Sequence, residues 1–351
     1  SNIIGAGFTA LPYTFREATL GPGLFGLFFT ALLNYVSVMV LCKCCDITGE
    51  FSYKAISQRA FGGSAGNVIQ AVVGLYATGS CITYVVLIGD FIPEVVKNFT
   101  SASYWFTSRT VVILVVATAV MLPLSLFRDL SSLRFTSVLG LVCVVYTALL
   151  LVAWVASHDR ESVMQNEVST GIINALPILN VAWCYHYNVP RFYFELENRS
   201  LRRMALATGI AFFGVVMVIY LVTCVFGYIA FGKEVSGDVM ESFPDKYHPA
   251  LVARLALSFT VCTVFPQSMN AVRASFQIVA ASCCGSSRAA KRVREGCTPN
   301  VRHVVLTVAL VGVVTVVGLA AKKVEVVLGY KGAIFGSAMV YLFPGLMSIK
   351  L

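Results

Sequence analysis

Residues 177–190 read PILNVAWCYHYNVP, and residues 1–12 read SNIIGAGFTALP. Both stretches lie in apolar segments about as long as a bilayer is thick, yet both carry residues that interrupt an α-helix. Residues 1–12 contain a Gly-Ala-Gly run at residues 5–7, and residues 177–190 combine two prolines with asparagine, histidine and tyrosine. A membrane helix tolerates an interruption only where the freed backbone groups line a cavity or find protein partners. The two stretches therefore indicate where a binding site lies.

The composition is typical of a helical protein that crosses a membrane several times. Of 351 residues, 58% are hydrophobic and only 12% are charged, whereas about a quarter of the residues in a soluble domain are charged. Long apolar runs alternate with short charged segments, which predicts an all-α membrane protein. The net charge of +9 does not indicate nucleic-acid binding, because the basic residues lie in short loops next to membrane spans.

About ten membrane spans of roughly 20 residues each can be placed along the chain. They are expected near residues 1–20, 23–42, 66–92, 110–127, 135–156, 171–194, 204–230, 249–280, 303–320 and 326–347. A short helix at the membrane interface is expected over residues 52–61, with Tyr53, Ile56 and Phe61 in the membrane. Since the chain opens inside an apolar run, we expect part of the first span upstream, and since it ends abruptly at Leu351, we expect a further span downstream.

The distribution of lysine and arginine predicts the orientation in the bilayer. Loops on one side carry 13 such residues and loops on the other side carry 7. The richer side, which includes the N-terminus, is therefore expected to be cytoplasmic. This orientation places the sequon that begins at Asn98 outside, where Asn98 would be glycosylated.

The two interrupted spans are the first and the sixth, five spans apart. Interrupted helices in matching positions of two halves point to an inverted-repeat transporter with its site near the middle of the membrane. The chain is then one domain, with a first repeat over about residues 1–156 and a second over about 171–347. The alternative is that Gly5 and Gly7 let the first helix pack closely on a neighbour. The matching irregularity in the sixth span favours the site.

Five groups of residues, taken in order, carry a family resemblance. They are residues 1–7 with 10–13; Leu122-Pro123-Leu124-Ser125-Leu126; His186 with Tyr193, Glu195-Leu196 and Arg202-Arg203-Met204; Arg254-Leu255-Ala256 with Pro266 and Arg273-Ala274-Ser275; and Phe343-Pro344-Gly345. Together they resemble the amino acid/auxin permease family, and within it the branch of sodium-coupled neutral amino acid transporters. The resemblance covers nearly the whole chain.

The resemblance implies a LeuT-like fold of the APC superfamily, a five-plus-five inverted repeat with about 10 of 11 spans present here. It implies secondary active transport or symport of amino acids by alternating access, with neutral substrates first and cationic ones if Asp90 reaches the pocket. A sensor or receptor that uses the same pocket is the alternative, and no enzyme is expected. The expected partners are a small amino acid and the lipid bilayer, with no nucleic acid, cofactor or metal. A monomer is expected, in the plasma membrane or a lysosomal or vacuolar membrane.

Candidate site residues follow from the interrupted spans. Backbone N–H groups freed at residues 5–7 would bind a substrate carboxylate, because the half-helix that follows points its positive end at them. Substrate contacts are predicted for Gly5, Ala6, Gly7, Phe8, Tyr76, Trp183, Cys184 and Tyr185. Ion coupling is predicted for Ser1, Asn2, Ile4, Thr263 and His186, and no residue is assigned a catalytic role.

The coupling ion stays open between H⁺ and Na⁺. Backbone carbonyls combined with hydroxyls suit a hard cation, and the resemblance implies such a sodium site between the first and eighth helices. In this chain, however, Cys262 and Val264 stand where that branch has threonines. His186 could instead carry a proton, because imidazole titrates near neutral pH. A purely structural histidine is the alternative.

Overall fold

The structure, a computed structural model, describes residues 6–99, 105–127, 134–158, 169–284 and 299–351. Within these ranges every regular element is helical. The α-helices are α1 (Leu11–Ala18), α2 (Leu20–Thr48), α3 (Tyr53–Phe61), α4 (Gly63–Phe99), α5 (Arg109–Leu126), α6 (Arg134–Ser157), α7 (Ile172–Trp183), α8 (Val189–Glu195), α9 (Leu201–Glu234), α10 (His248–Cys284), α11 (Pro299–Ala320) and α12 (Val324–Lys350).

Eight of these helices are long and apolar enough to cross a membrane, namely α2, α4, α5, α6, α9, α10, α11 and α12. Each corresponds to one of the ten predicted spans, and the two remaining predicted spans are the first and the sixth. The prediction of an all-helical chain that crosses the membrane several times is therefore confirmed. The ends differ most for α2 and α4, which are 29 and 37 residues long because both helices continue through polar residues beyond the apolar run.

The sixth span is interrupted, as its prolines and polar residues predicted. Helix α7 ends at Trp183, and Cys184 is extended with φ −80° and ψ 110°. A 3₁₀ turn over His186–Asn188 follows, and α8 begins at Val189. Proline at residue 190 fits the first turn of α8, where a missing backbone N–H costs nothing.

The first span is irregular over the part that the structure describes. Residues Ala6–Ala10 form a 3₁₀ helix, and the regular α-helix begins only at Leu11. Helix α1 ends after two turns at Thr19, whose positive φ of 69° reverses the chain into α2. Gly5, at the centre of the predicted interruption, lies outside the described residues.

Helix α12 contains two π-helical stretches, Lys331–Gly336 and Ala338–Leu342. Pro344 has no N–H, so the turn before it lacks one backbone hydrogen bond. The Ser37 hydroxyl of α2 donates to the Val340 carbonyl in this turn. The Tyr53 hydroxyl donates to the neighbouring Met339 carbonyl at 2.6 Å. Side chains from two other helices therefore replace the bonds that α12 lacks.

The expectation that α3 lies in the membrane interface is wrong for two of its three apolar residues. Tyr53 and Ile56 are buried against the rest of the protein, and only Phe61 is largely exposed, at 42%. The cause is the hydrogen bond from Tyr53 to α12, together with the Ser52 hydroxyl, which caps the start of α3. An amphipathic pattern in the sequence does not distinguish a membrane surface from a protein surface.

Helices α4 and α10 pack closely along their length. A Cβ on Gly74 of α4 would lie 2.5 Å from Ser275 Cβ of α10, so this crossing requires glycine. Buried Arg273 then ties α10 to two further helices. Its Nη1 donates to the Ser125 carbonyl of α5 at 3.2 Å and to Thr307 Oγ1 of α11 at 2.9 Å.

The loop between α9 and α10 is fastened to the first span. Arg16 Nη1 of α1 donates to the Val235 carbonyl at 2.7 Å. Thr9 Oγ1 donates to Asp238 Oδ2 at 2.9 Å, and the Met240 N–H donates to Asp238 Oδ1 at 2.8 Å. Burial of the carboxyl, with a smaller contribution from the negative charge of Glu241, raises the pKa of Asp238 to about 8. Two hydrogen bonds therefore connect this loop to the first span.

This raised pKa predicts how stability depends on pH. Between about pH 4 and pH 8 the folded Asp238 keeps a proton that the unfolded chain has lost, so stability decreases as the pH rises through this window. Asp238→Asn cannot ionise, and its amide can still accept from Met240 and donate to Thr9. The apparent melting temperature in detergent should therefore fall by several degrees less, from pH 5 to pH 8, than that of the unmodified chain.

The control is Asp245→Asn in the same loop, because Asp245 is exposed. This variant should keep the pH dependence of the unmodified chain. An unchanged pH dependence in Asp238→Asn would contradict the assignment of the buried, protonated carboxyl.

Candidate functional site

A cavity of about 60 Å³ lies where the first span and the interruption of the sixth span face α4, α9, α10 and α12. Hydroxyl groups, a thiol and one ammonium group face it together with apolar side chains. Its lining comprises Gly7, Phe8, Tyr76, Ser80, Thr83, Tyr84, Val181, Ala182, Cys184, Tyr187, Tyr220, Ser268, Leu328 and Lys331. We call it the central cavity.

Four of the residues predicted to contact substrate line this cavity: Gly7, Phe8, Tyr76 and Cys184. Residues far apart in sequence are thus brought together as the two interrupted spans predicted. Gly5 lies outside the described residues, and for Ala6 the structure describes the backbone only.

Gly7 is not required by close packing. A Cβ at this position would lie 3.7 Å from Leu328 Cδ2 and 4.0 Å from Val181 Cγ1, which are ordinary contacts with side chains. By contrast, a Cβ on Gly332 would lie 2.1 Å from the Pro177 carbonyl oxygen, so α12 and α7 can approach only through glycine. The comparison favours the interpretation that the Gly7 backbone faces open space in the cavity.

Trp183 and Tyr185 do not line the central cavity. Both are buried against α9: the Trp183 ring lies 5.1 Å from that of Phe212, and the Tyr185 hydroxyl is 3.4 Å from Thr208 Oγ1. Tyr220 of α9 donates to the Ala182 carbonyl at 2.9 Å, a group freed by the end of α7. Trp183 and Tyr185 therefore anchor the interruption from behind rather than face the cavity, whereas Tyr220 both bonds the interruption and lines the cavity.

The residues predicted to couple an ion are not brought together among the described residues. Ser1, Asn2 and Ile4 lie outside those residues. Thr263 Oγ1 donates to the Thr260 carbonyl of its own helix at 2.9 Å, and Thr263 is not part of the cavity lining.

His186 is fully buried beside the interruption. Within the described part of the chain, neither ring nitrogen has a hydrogen-bond partner of normal geometry. A satisfied structural histidine would have such a partner. His186 is also absent from the lining of the central cavity.

A polar network that the sequence did not predict lies next to the interruption. Asn180 Oδ1 of α7 accepts from Asn34 Nδ2 of α2 at 3.0 Å and from the Tyr341 hydroxyl of α12 at 2.8 Å. The network joins three helices at the level where α7 is about to end. It fixes the half-helix on whose end the cavity is built.

Lys331 is a charged residue of the lining that the sequence analysis did not identify. It is the one charged residue in the apolar run over residues 326–347, a signal that could have identified it, because ionisable residues inside membranes are costly and usually functional. Its side chain is buried, with 7% exposed, and its Nζ lies 4.3 Å from the centre of the Tyr76 ring.

A larger vestibule of about 680 Å³ lies at the end of α4 near the loop between α9 and α10. Asp90 lies here and forms a salt bridge with Arg109 Nε at 3.1 Å. Asp90 is therefore not part of the central cavity and is already paired with a cation. Asn98 Nδ2 donates to the Glu94 and Asp245 carbonyls, both at 2.8 Å, so the predicted glycosylation amide is engaged in this structure.

Comparison with known proteins supports the resemblance. A symporter of Danio rerio, sodium-coupled neutral amino acid symporter 2, is 23% identical over 381 residues, which cover 99% of this chain and 73% of that protein. Vacuolar amino acid transporter 2 of Saccharomyces cerevisiae is 23% identical over 359 residues, covering 98% and 73%. Sodium-coupled neutral amino acid transporter 7 of Xenopus laevis is 27% identical over 276 residues, covering 75% and 60%.

The sequence model of one family, described as transmembrane amino acid transporter protein, matches residues 1–351. The resemblance seen in the motifs is thereby confirmed. The relatives are transporters and not enzymes. This chain is a multi-pass membrane protein and belongs to the transmembrane amino acid transporter family.

Proposed function

We propose that this chain is a secondary transporter that carries amino acids across a membrane by alternating access, with the substrate in the central cavity. One observation carries the proposal: the interruption between α7 and α8 meets Gly7 of the first span at a shared cavity. Freed backbone groups at such a place can hold both charged ends of an amino acid. N–H groups ahead of α1 suit the carboxylate, and carbonyls at the end of α7 suit the ammonium.

The proposed architecture is a LeuT-like five-plus-five inverted repeat. The eight long helices, together with the first span and the interrupted α7–α8 pair, give ten spans among the described residues. The irregular spans then open each repeat. The loop over residues 235–247, which Asp238 and Arg16 tie to the first span, would move with that span when access alternates.

Two arguments favour neutral over cationic amino acids as substrates. Two relatives are named as transporters of neutral amino acids, and the resemblance also implies neutral substrates. Cationic amino acids are disfavoured, because Asp90 is paired with Arg109 in the vestibule and an ammonium group lines the central cavity. We place the N-terminus in the cytoplasm on the basis of the charge asymmetry of the loops.

An uptake experiment tests this function against the sensor alternative. The purified chain in proteoliposomes should accumulate radiolabelled amino acid and should exchange it faster when unlabelled amino acid is present inside. Binding without flux would identify a sensor. Replacing sodium by choline at acidic external pH should preserve uptake, because Cys262 and Val264 bring no hydroxyls and Thr263 bonds its own helix. Loss of uptake without sodium at every pH would show sodium coupling instead.

Gly7→Val should abolish substrate binding and leave the protein folded. The added methyl groups would occupy the cavity beside Leu328 and Val181, where the structure has room for a Cβ but the substrate backbone contact requires open space. We expect affinity to fall at least tenfold, measured as ligand-dependent thermal stabilisation of purified protein, with an unchanged size-exclusion profile.

Gly332→Ala is the matched control, because its Cβ would collide with the Pro177 carbonyl. This variant should give a lower yield of folded protein, which is the result that the packing alternative predicts for Gly7→Val. A well-folded Gly7→Val protein that binds amino acids normally would remove Gly7 from the site.

A further inference from the structure

Lys331 occupies a place in the central cavity that the backbone groups of the interrupted spans do not explain. Its aliphatic stem lies against α4, where a Cβ on Gly79 would come within 3.2 Å of Lys331 Cγ and Cδ. Glycine at residue 79 thus provides the space through which the side chain reaches the cavity. Its Nζ ends over the face of Tyr76, which also lines the cavity. The ammonium is therefore held at the wall of the central cavity.

The charge of Lys331 has no counter-ion among the residues that the structure describes. The ion pairs formed there involve other residues, and none of the described residues that line the central cavity is an aspartate or a glutamate. The face of Tyr76 attracts the ammonium by a cation–π interaction, which compensates only part of the cost of removing a charge from water. A buried charge without a carboxylate is costly, and inside a membrane such a group is normally functional.

We propose that Lys331 binds a carboxylate of the substrate and makes this chain select amino acids of net charge −1, that is dicarboxylic amino acids, over zwitterionic and cationic ones. The proposal rests on the proposed function and names the substrate class of the same cavity. With a zwitterion bound, the cavity and its ligand together carry a net charge of about +1, and with a cationic amino acid about +2. A dicarboxylic amino acid brings this sum to zero, and its second carboxylate has a donor that the backbone does not supply.

The substrate binds in two parts on this account. The α-carboxylate and α-ammonium use freed backbone groups near Gly7 and the end of α7, as for any amino acid. The side-chain carboxylate pairs with Lys331 Nζ, which leaves the ring of Tyr76 as a packing surface for the methylene groups. Lys331 therefore decides between substrates, whereas the backbone groups recognise the common part. This chain would then differ in substrate from the relatives that are named as transporters of neutral amino acids.

Competition for uptake tests the proposal on the full chain in proteoliposomes. Uptake of labelled glutamate by the unmodified chain should be inhibited at least tenfold more strongly by unlabelled aspartate or glutamate than by glutamine or lysine. Lys331→Met, which keeps the length of the stem and removes the charge, should lose this preference by at least tenfold and keep glutamine uptake. Lys331→Arg should retain the preference, because it keeps the charge.

Lys350→Met is the matched control, because Lys350 is an exposed lysine at the end of the same helix. This variant should leave the preference for dicarboxylic amino acids unchanged. Thermal stabilisation of the unmodified purified chain by glutamate, glutamine and lysine gives a result that does not depend on the folding of any variant. Stabilisation by glutamine or lysine at tenfold lower concentrations than glutamate, or equal stabilisation by all three, would overturn the proposal. If the chain transports neutral amino acids and Lys331→Met has the same substrate preference, only this proposal is contradicted. Binding without any uptake would contradict the transporter function.

Discussion

The constraint on which the whole structure depends is that a backbone N–H or carbonyl inside a bilayer must find a partner within the protein. Two spans of this chain give up regular α-helix, and the rest of the structure supplies the missing partners. The Tyr220 hydroxyl of α9 accounts for a carbonyl at the end of α7. Ser37 and Tyr53 do the same for the carbonyls ahead of Pro344 in α12. Groups that remain at the interruption face a cavity, where a ligand can be their partner.

The same constraint links the cavity to its surroundings. The half-helix α7 is fixed by the Asn34–Asn180–Tyr341 network on one side and by the aromatic cluster around Trp183 on the other. The first span packs on α2, α7 and α9, with Phe8, Leu11 and Phe15 buried, and Thr9 and Arg16 bond it to the loop over residues 235–247. Hydrogen bonds thus join the first span to this loop, and the Tyr220 hydroxyl of α9 joins α9 to the end of α7 in the sixth span.

Hydropathy and helix-breaking residues were sufficient to predict the spans and the interruption of the sixth one, because both are local properties of the chain. The side to which each residue at the interruption turns was not predictable. Cys184 faces the cavity while Trp183 and Tyr185 pack on α9, and this depends on which helix lies behind the break. Tyr53 was misplaced for the same reason, since its partner is a carbonyl almost 300 residues away. Lys331, by contrast, was visible as a lone charge in an apolar run and could have been predicted.

The central claim is that an amino acid occupies the cavity between the two interrupted spans, and Cys184 offers a native probe of that place. Its thiol lines the cavity, whereas Cys224 is buried in α9 and is not part of the lining. The most direct measurement is the rate at which a small thiol reagent modifies Cys184, followed by mass spectrometry of the purified chain with and without transported amino acid. The account predicts that saturating substrate slows modification of Cys184 several-fold and leaves Cys224 unaffected. An unchanged rate at Cys184 under saturating substrate would contradict it.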